Sequence, residues 1–374
     1  MTDFDLLDNE VERDLRLAVG ALLSDRCDHK ATAELYDGAQ FTTEGLWESL
    51  AYEMGLAVVL VPSERGGAGG SAREAAVVME ELGRWVAPVP FLTSSVIATT
   101  TLLNGDTALL IELIDNRRIA CLAVPLTTAP HGPLPTVVAD QHGRLSGSIS
   151  SVAGAVEADL ILIPATTDGR VDLYSVERAA VEVNPFGSLD MTRQIADLRV
   201  NQLPCERVIK DAAAAVRMGI EVGAGLLAAE QVGVAQWCLE MTIAYLKQRR
   251  QFGRIVGGFQ AIKHRIADLF VAVEQATAAA RYAAAALAAG DADIPVAVST
   301  AKSFCGEVAV RVAEESIQLH GGIGMTWEYP LHLYVKRAKS DQIALGTPGD
   351  HRARLARIVD LPAPALRSQS LLAR

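Results

Sequence analysis

Residues 318–347 read QLHGGIGMTWEYPLHLYVKRAKSDQIALGT, and the rest of the chain is organised around this stretch. It opens with Gly321, Gly322 and Gly324 after an amphipathic segment. It then passes through Trp327-Glu328-Tyr329-Pro330 into a basic helix and closes on Leu345-Gly346-Thr347. Clustered glycines let a backbone approach a ligand closely and turn its N–H groups toward an anion. A helix–loop–helix corner with glycine past the helix end has the same local sequence. Other parts of the chain decide between the two.

At 374 residues the chain exceeds the size at which one hydrophobic core keeps growing, so two or three domains are expected. Half of the residues are hydrophobic and 21% are charged, as in a well-packed globular protein. A net charge of −11 argues against a nucleic-acid partner. No run of about 18 apolar residues offers a membrane span. The acidic N-terminus, MTDFDLLDNEVERD, has no apolar signal core, and a cytoplasmic location is expected. Five scattered cysteines without a CxxC pair, and seven histidines without HExxH or HxxxH, predict neither a disulfide framework nor a metal site.

Residues 1–115 have helical periodicity, as in LRLAVGALL (15–23) and LWESLAYEMGLAVVLVP (46–62). After the glycines at 66–70, Ser71 and Glu74 form a candidate capping box for REAAVVMEELGRW, which Ala87-Pro88-Val89-Pro90 stops. Over 116–211 short apolar runs alternate with turn-rich stretches, which predicts a small β-barrel or sandwich. Residues 212–374 are helical and alanine-rich, notably TAAARYAAAALAAG (277–290), which predicts a bundle of long helices.

This α, β, α order resembles the acyl-CoA dehydrogenase family. The run VPSERGGAGG and the later MEELGRWVAPVP look like that family's first domain, and MTIAYLKQRRQFGRIVGGFQAIKHRIAD (241–268) is similar to its third-domain signature. Residues 318–347 match its last block without a gap, and the likeness is weakest between Pro125 and Asp159. The resemblance implies an N-terminal all-α domain, a middle β domain and a C-terminal four-helix bundle. It also implies FAD at a subunit interface, an acyl-CoA substrate, an electron-accepting flavoprotein, and a homo- or hetero-oligomer, dimer or tetramer. In such enzymes a base removes a proton beside the thioester carbonyl while the flavin takes a hydride from the next carbon.

Carried over residue by residue, Arg249 and Phe252 of the RxxF run match groups that reach FAD held mainly by a neighbouring subunit, and an arginine fork suits phosphate oxygens. Gln318, Gly321 and Gly322 match positions beside the adenosine and diphosphate, and Gln260 the family's FQ pair. For Gln260 a buried amide satisfying backbone groups is an equal alternative. His264 and His320 read as packed or capping residues. Gly346 and Thr347 match the residues after the family's base, but Leu345 stands where glutamate is expected, and leucine cannot take a proton. An alternative base position on an earlier helix falls at Gly223, with Glu221 two residues away. Glu230 lies within the apolar stripe of Leu226, Leu227, Val234, Trp237, Cys238, Met241 and Tyr245. It reads either as a carboxylate bonded to an arginine or as a displaced base.

The middle segment departs further. VPLTTAPHGPLP (124–135) lacks the family's Gly-Ser end, and Ser150, Ser151, Val152 and Ala153 replace an aromatic and an amide. Residues that would reach a neighbour's FAD are thus kept, and those serving the chain's own flavin are altered. Three readings follow: the base-lacking subunit of a heteromeric dehydrogenase, a self-sufficient dehydrogenase using Glu230 or Glu221, or a non-catalytic acyl-CoA-binding or scaffold homologue.

Overall fold

The computed structural model describes residues 4–38, 45–105, 107–115, 117–134 and 137–361. Helices come first: α1 (Glu10–Arg26), α2 (His29–Glu34), α3 (Leu46–Glu48), α4 (Ala72–Trp85), α5 (Thr99–Leu103) and α6 (Thr107–Asp115). A π-helical segment, Phe91–Ala98, runs directly into α5. The Ser71 capping box is present: Ser71 Oγ accepts from the Arg73 N–H at 3.1 Å, and the Glu74 carboxylate accepts from the Ser71 N–H at 2.8 Å. α4 stops at Trp85, where Val86 turns left-handed (φ +48°) ahead of the Pro88 and Pro90 breaks.

Strands follow as β1 (Ala120–Leu122), β2 (Val137–Ala139), β3 (Arg144–Ala153), β4 (Leu160–Thr167), β5 (Arg170–Glu177), β6 (Glu182–Phe186), β7 (Ile195–Pro204) and β8 (Glu206–Ile209). They form one mixed sheet in the order β6-β7-β3-β2-β4-β5-β8, with β1 also paired to β4. β1 and β2 run parallel to β4, and the other pairings are antiparallel. Among the described residues the pairing path is open at β6 and β8, so the barrel-or-sandwich expectation resolves to a single sheet. β3 slips register against β7 between Ile149 and Val152, and this bulge falls on Ser150 and Ser151.

The last part is α7 (Ala213–Gln248), the hairpin strands β9 (Arg250–Gln251) and β10 (Arg254–Ile255), α8 (Gln260–Ala289), α9 (Ile294–His320), α10 (Leu331–Ile343) and α11 (Pro348–Ile358). α7 is the axis, packing on α9, α4 and α8. By length and composition it is apolar enough to cross a membrane, but 89% of its most apolar window is buried inside the protein, so it is a core helix here.

Glycines let α4 approach α7 backbone to backbone. A methyl carbon added at Gly233 would lie 1.9 Å from the Glu80 carbonyl oxygen, and one at Gly83 would lie 2.1 Å from that of Glu230. Contacts this close leave no room for relaxation. Gly233→Ala is therefore expected to destabilise the chain by about 1–3 kcal/mol in urea denaturation, and an unchanged midpoint would show that the two helices part freely.

Candidate functional site

The turn after α10 determines what the Leu345 position can do. α10 ends at Ile343, and Leu345 (φ +54°) and Gly346 (φ +99°) carry the chain left-handed to Thr347, whose hydroxyl caps α11. Lys302, fully buried, points its ammonium at the orphan carbonyls of this end: Asp341 O at 2.8 Å, Gln342 O at 3.3 Å and Gly346 O at 3.4 Å. Burial lowers the Lys302 pKa to about 8. The Leu345 N–H donates to Leu126 O at 2.7 Å, and Leu345 O accepts from His351 Nε2 at 2.9 Å.

The Leu345 side chain is 1% exposed and faces Gly223 and Ile97. A methyl carbon at Gly223 would sit 2.7 Å from Ile97 Cγ1 and 3.2 Å from Leu345 Cδ1. One turn earlier, a methyl at Gly219 would meet Thr101 Oγ1 at 2.1 Å and Ile97 O at 2.8 Å. The two sequence positions considered for a base therefore meet in space, and hydrocarbon fills the meeting point. The 125–134 loop lies over the same turn. Its Ala129 Cβ would stand 2.9 Å from a methyl on Gly346, and Arg217 Nη1 donates to Pro130 O at 2.9 Å and Gly132 O at 2.8 Å. At the β3 bulge the Ser151 N–H donates to Asp197 at 2.9 Å, and Gly154 (φ +83°) rests on Thr93.

Both candidate acids are engaged by arginines. Glu230, 1% exposed, accepts from Arg193 Nη2 at 2.8 and 2.7 Å and also from Arg337. Arg193 Nη1 bonds Asp341 at 2.6 Å, and Arg337 Nε bonds Asp190 at 2.6 Å while its other nitrogen reaches the Thr192 hydroxyl. Burial, with the Glu230 charge beside it, pushes the Asp341 carboxyl up. For Asp190 burial acts in the same direction, but Arg337 and the Thr192 hydroxyl hold it below the usual carboxylate range. Glu221 forms a two-pronged pair with Arg354, at 2.8 and 2.7 Å. Sequence reading missed Arg193, Arg337, Asp341, Lys302 and His351. The one local signal was Asp341 four residues after Arg337 in an otherwise basic helix.

Of the FAD-matched residues, Arg249, Gln318, Gly321 and Gly322 fall together, away from the Leu345 turn. Tyr245 stacks on His320 at 4.4 Å and donates to its carbonyl at 3.3 Å, which brings the ends of α7 and α9 side by side. Arg249 caps α7, and Gln318, Gly321 and Gly322 flank the α9 end, all exposed. Nothing lies within 4 Å of a methyl placed on Gly321 or Gly322. Phe252 stands 91% exposed on the hairpin. Gln260 is exposed at the start of α8, which removes its buried-amide alternative. Thr347 is spent on its cap, its hydroxyl bonded to Asp350 at 2.7 Å. His320 is packed, bonded to Ser316 O and Tyr329, whereas His264 is exposed. The loop beyond Gly322 is held by Lys336, whose ammonium lies 3.8 Å from the Tyr36 ring centre and 4.1 Å from that of Trp327.

These exposed residues fit an anionic, planar-ringed cofactor approached from outside: an arginine with no ion pair among the described residues, an aromatic face and two glycines with open space. The residues around Leu345 do not fit one, since side chains and the 125–134 loop occupy the space there. The profile of the acyl-CoA dehydrogenase N-terminal domain matches residues 9–109, and that of the C-terminal domain matches residues 213–359. Acyl-CoA dehydrogenase IpdE2 of Mycobacterium tuberculosis is 34% identical over 91% of this chain and 95% of its own length. The solved ChsE4–ChsE5 complex of the same organism superimposes with a TM-score of 0.85 at 27% identity, covering 96% of this chain and 100% of that one. A chain of the Tcur3481–Tcur3483 steroid ACAD, G363A variant, superimposes with a TM-score of 0.83 at 29% identity, covering 94% of this chain and 98% of that one. The fold and the site thus define a flavoprotein oxidoreductase type that acts on CH–CH groups. This chain belongs to the acyl-CoA dehydrogenase family.

Two outcomes test the buried side of the site. Glu230→Gln leaves two buried guanidinium groups short of charge and is expected to cost about 3–5 kcal/mol in denaturant unfolding; unaltered stability would remove the ion-pair role. His351 is fully buried, its Nε2–H is committed to Leu345 O, and burial lowers its pKa to about 4. The unfolded chain binds a proton near the ordinary value of 6.5 and the folded chain does not, so stability falls as pH drops from 6.5 toward about 4. That loss reaches about 3 kcal/mol at the lower end. His351→Asn should flatten this arm of the stability–pH curve, and an unchanged slope would assign it to other groups.

Proposed function

We propose that this chain is the base-lacking subunit of a heteromeric acyl-CoA dehydrogenase. Arg249, Phe252, Gln318, Gly321 and Gly322 complete an FAD site held mainly by a related sister subunit, with Gln260 at its margin. The sister chain carries the base, takes the acyl-CoA thioester and passes electrons to a flavoprotein acceptor. Glu230 and Glu221 are structural carboxylates in this reading, and Thr347 serves the turn in place of the flavin.

The observation that carries the reading is the Ile97–Gly223–Leu345 contact: both base positions are apolar, adjacent and closed. A carboxylate cannot act where none stands, and a thioester cannot enter where Gly219 meets Ile97 O and Thr101 at van der Waals limits. The opposite end favours the same reading, since Phe252 of the hairpin and Met325 of the loop after α9 are apolar and largely exposed, at 91% and 82%. Two solved relatives have two-component names, ChsE4–ChsE5 and Tcur3481–Tcur3483, and the second is called a steroid ACAD. A bulky, polycyclic acyl thioester is the substrate class this favours.

Expressed alone, the chain is expected to retain little FAD and to show no turnover of CoA thioesters with an artificial electron acceptor. Paired with a related chain that keeps the Glu-Gly-Thr run, it should form a complex with bound FAD. Arg249→Gln in this chain should then weaken FAD binding at least about tenfold while its melting temperature holds. Stoichiometric FAD with turnover from the chain alone would overturn the proposal.

A further inference from the structure

We infer that the N-terminal helical region contains a second binding pocket, suited to a small apolar monocarboxylate and separate from any flavin or thioester site. A cavity of about 180 Å³ lies between the 47–61 segment, the Phe91–Leu103 helix, α6 and the start of β1. Its walls are mainly hydrocarbon, from Ala51, Val58, Val61, Leu110, Leu113 and Ile114. An engineered apolar cavity of about 150 Å³ takes up benzene, so this one has room for a ring or a six-carbon chain. Left unfilled, its lining atoms lack partners on one side.

Two polar groups on these walls are incompletely matched. Trp47 is 3% exposed, and among the described residues its indole N–H makes no well-formed hydrogen bond, only a weak approach to the Tyr52 hydroxyl. A buried donor left in that state is costly unless an acceptor arrives. Arg117 also lines the cavity, and no carboxylate among the described residues pairs with it. Its neighbour Arg118, by contrast, is bonded to Glu177 and lies near Glu112.

Arg117 is held in place. Its backbone is left-handed (φ +53°), its carbonyl accepts from Tyr52 Oη at 2.7 Å, and its guanidinium stands 5.0 Å from the Tyr52 ring centre. The Tyr52 ring is itself 6.5 Å from that of Trp47. A guanidinium with no carboxylate partner among the described residues and a poorly satisfied indole N–H thus flank one tyrosine at the edge of an apolar chamber. The ligand this selects has a carboxylate head, which accepts from both, and an apolar body. Ser94 and Thr99 line this cavity, whereas Ile97 and Thr101 of the same helix face α7 and Leu345, so the two sites lie on opposite sides of it.

The test is isothermal titration calorimetry of the full chain with hexanoate and benzoate, against 1-hexanol and hexylammonium. Both carboxylates are expected to bind with one equivalent and hexylammonium not at all. Arg117→Gln, a surface change, should weaken hexanoate at least about tenfold and leave 1-hexanol within about twofold. Ala51→Leu should abolish binding of both by filling the chamber without lowering the melting temperature. Should that variant fail to fold, Val58→Phe at the partly exposed wall replaces it. Absence of binding by both carboxylates up to roughly 10 mM, equal uptake of hexylammonium, or affinities unmoved by Arg117→Gln and by the filling variant would each overturn the assignment.

Discussion

Everything that positions this chain's site depends on a buried cluster of charges between the sheet and the helices. Asp190, Thr192 and Arg193 lie between β6 and β7, and they enter the helical region to meet Glu230 of α7 and Arg337 and Asp341 of α10. Lys302 of α9 closes the arrangement on the Asp341 carbonyl, where Gln231 also donates, at 2.9 Å. Tyr36 of the N-terminal part reaches Asp190 at 3.3 Å. Three carboxylates thus face three cations inside the protein. Removing such charges from water is expensive, and the cost is met only when nearly every donor and oxygen has a partner. A cluster so demanding tolerates one geometry, and that geometry fixes where α10 ends and where the Leu345 turn begins.

The closed state of that turn follows from small residues as much as from the missing acid. Gly219 and Gly223 let the Phe91–Leu103 helix reach α7 until side chains touch backbone, and Leu345 caps the seam. A glutamate at 345 would enter an apolar contact of Ile97 and Gly223 of α7. Substitution of the base and loss of space are therefore coupled. With leucine at 345, hydrophobic packing favours a closed seam.

Much of this was legible in the sequence, and what was not has a physical reason. The Ser71–Glu74 capping box and the end of α4 before Pro88 are local, so three or four residues determine them. The RxxF run, the glycines at 321 and 322 and the departure at Leu345 are short motifs with fixed spacing. The charge cluster is different. Arg193 pairs with Asp341 across 148 residues, and within its own segment each looks like a solvated charge on a surface helix or loop. Glu230 carried half of the signal, an acid on an apolar stripe, but its arginines could not be named from one chain. Gly219 and Gly223 were equally silent, because glycine in an alanine-rich helix carries no sign of what it approaches. The Trp47 cavity has no sequence signature, being a space between segments.

The geometry of α7 explains how one end of this chain can close while the other stays exposed. Gly223 and Arg249 are separated by about 39 Å at 1.5 Å per helical residue. Between them the helix is buried against α4, α8 and α9. Closure at the Leu345 seam therefore leaves the hairpin with Phe252 and the glycine corner at Gly321 where they were. Phe252, 91% exposed, lies three residues after Arg249, which is also exposed and has no ion pair among the described residues. One long buried helix thus carries both the apolar seam at Gly223 and the exposed corner at Arg249.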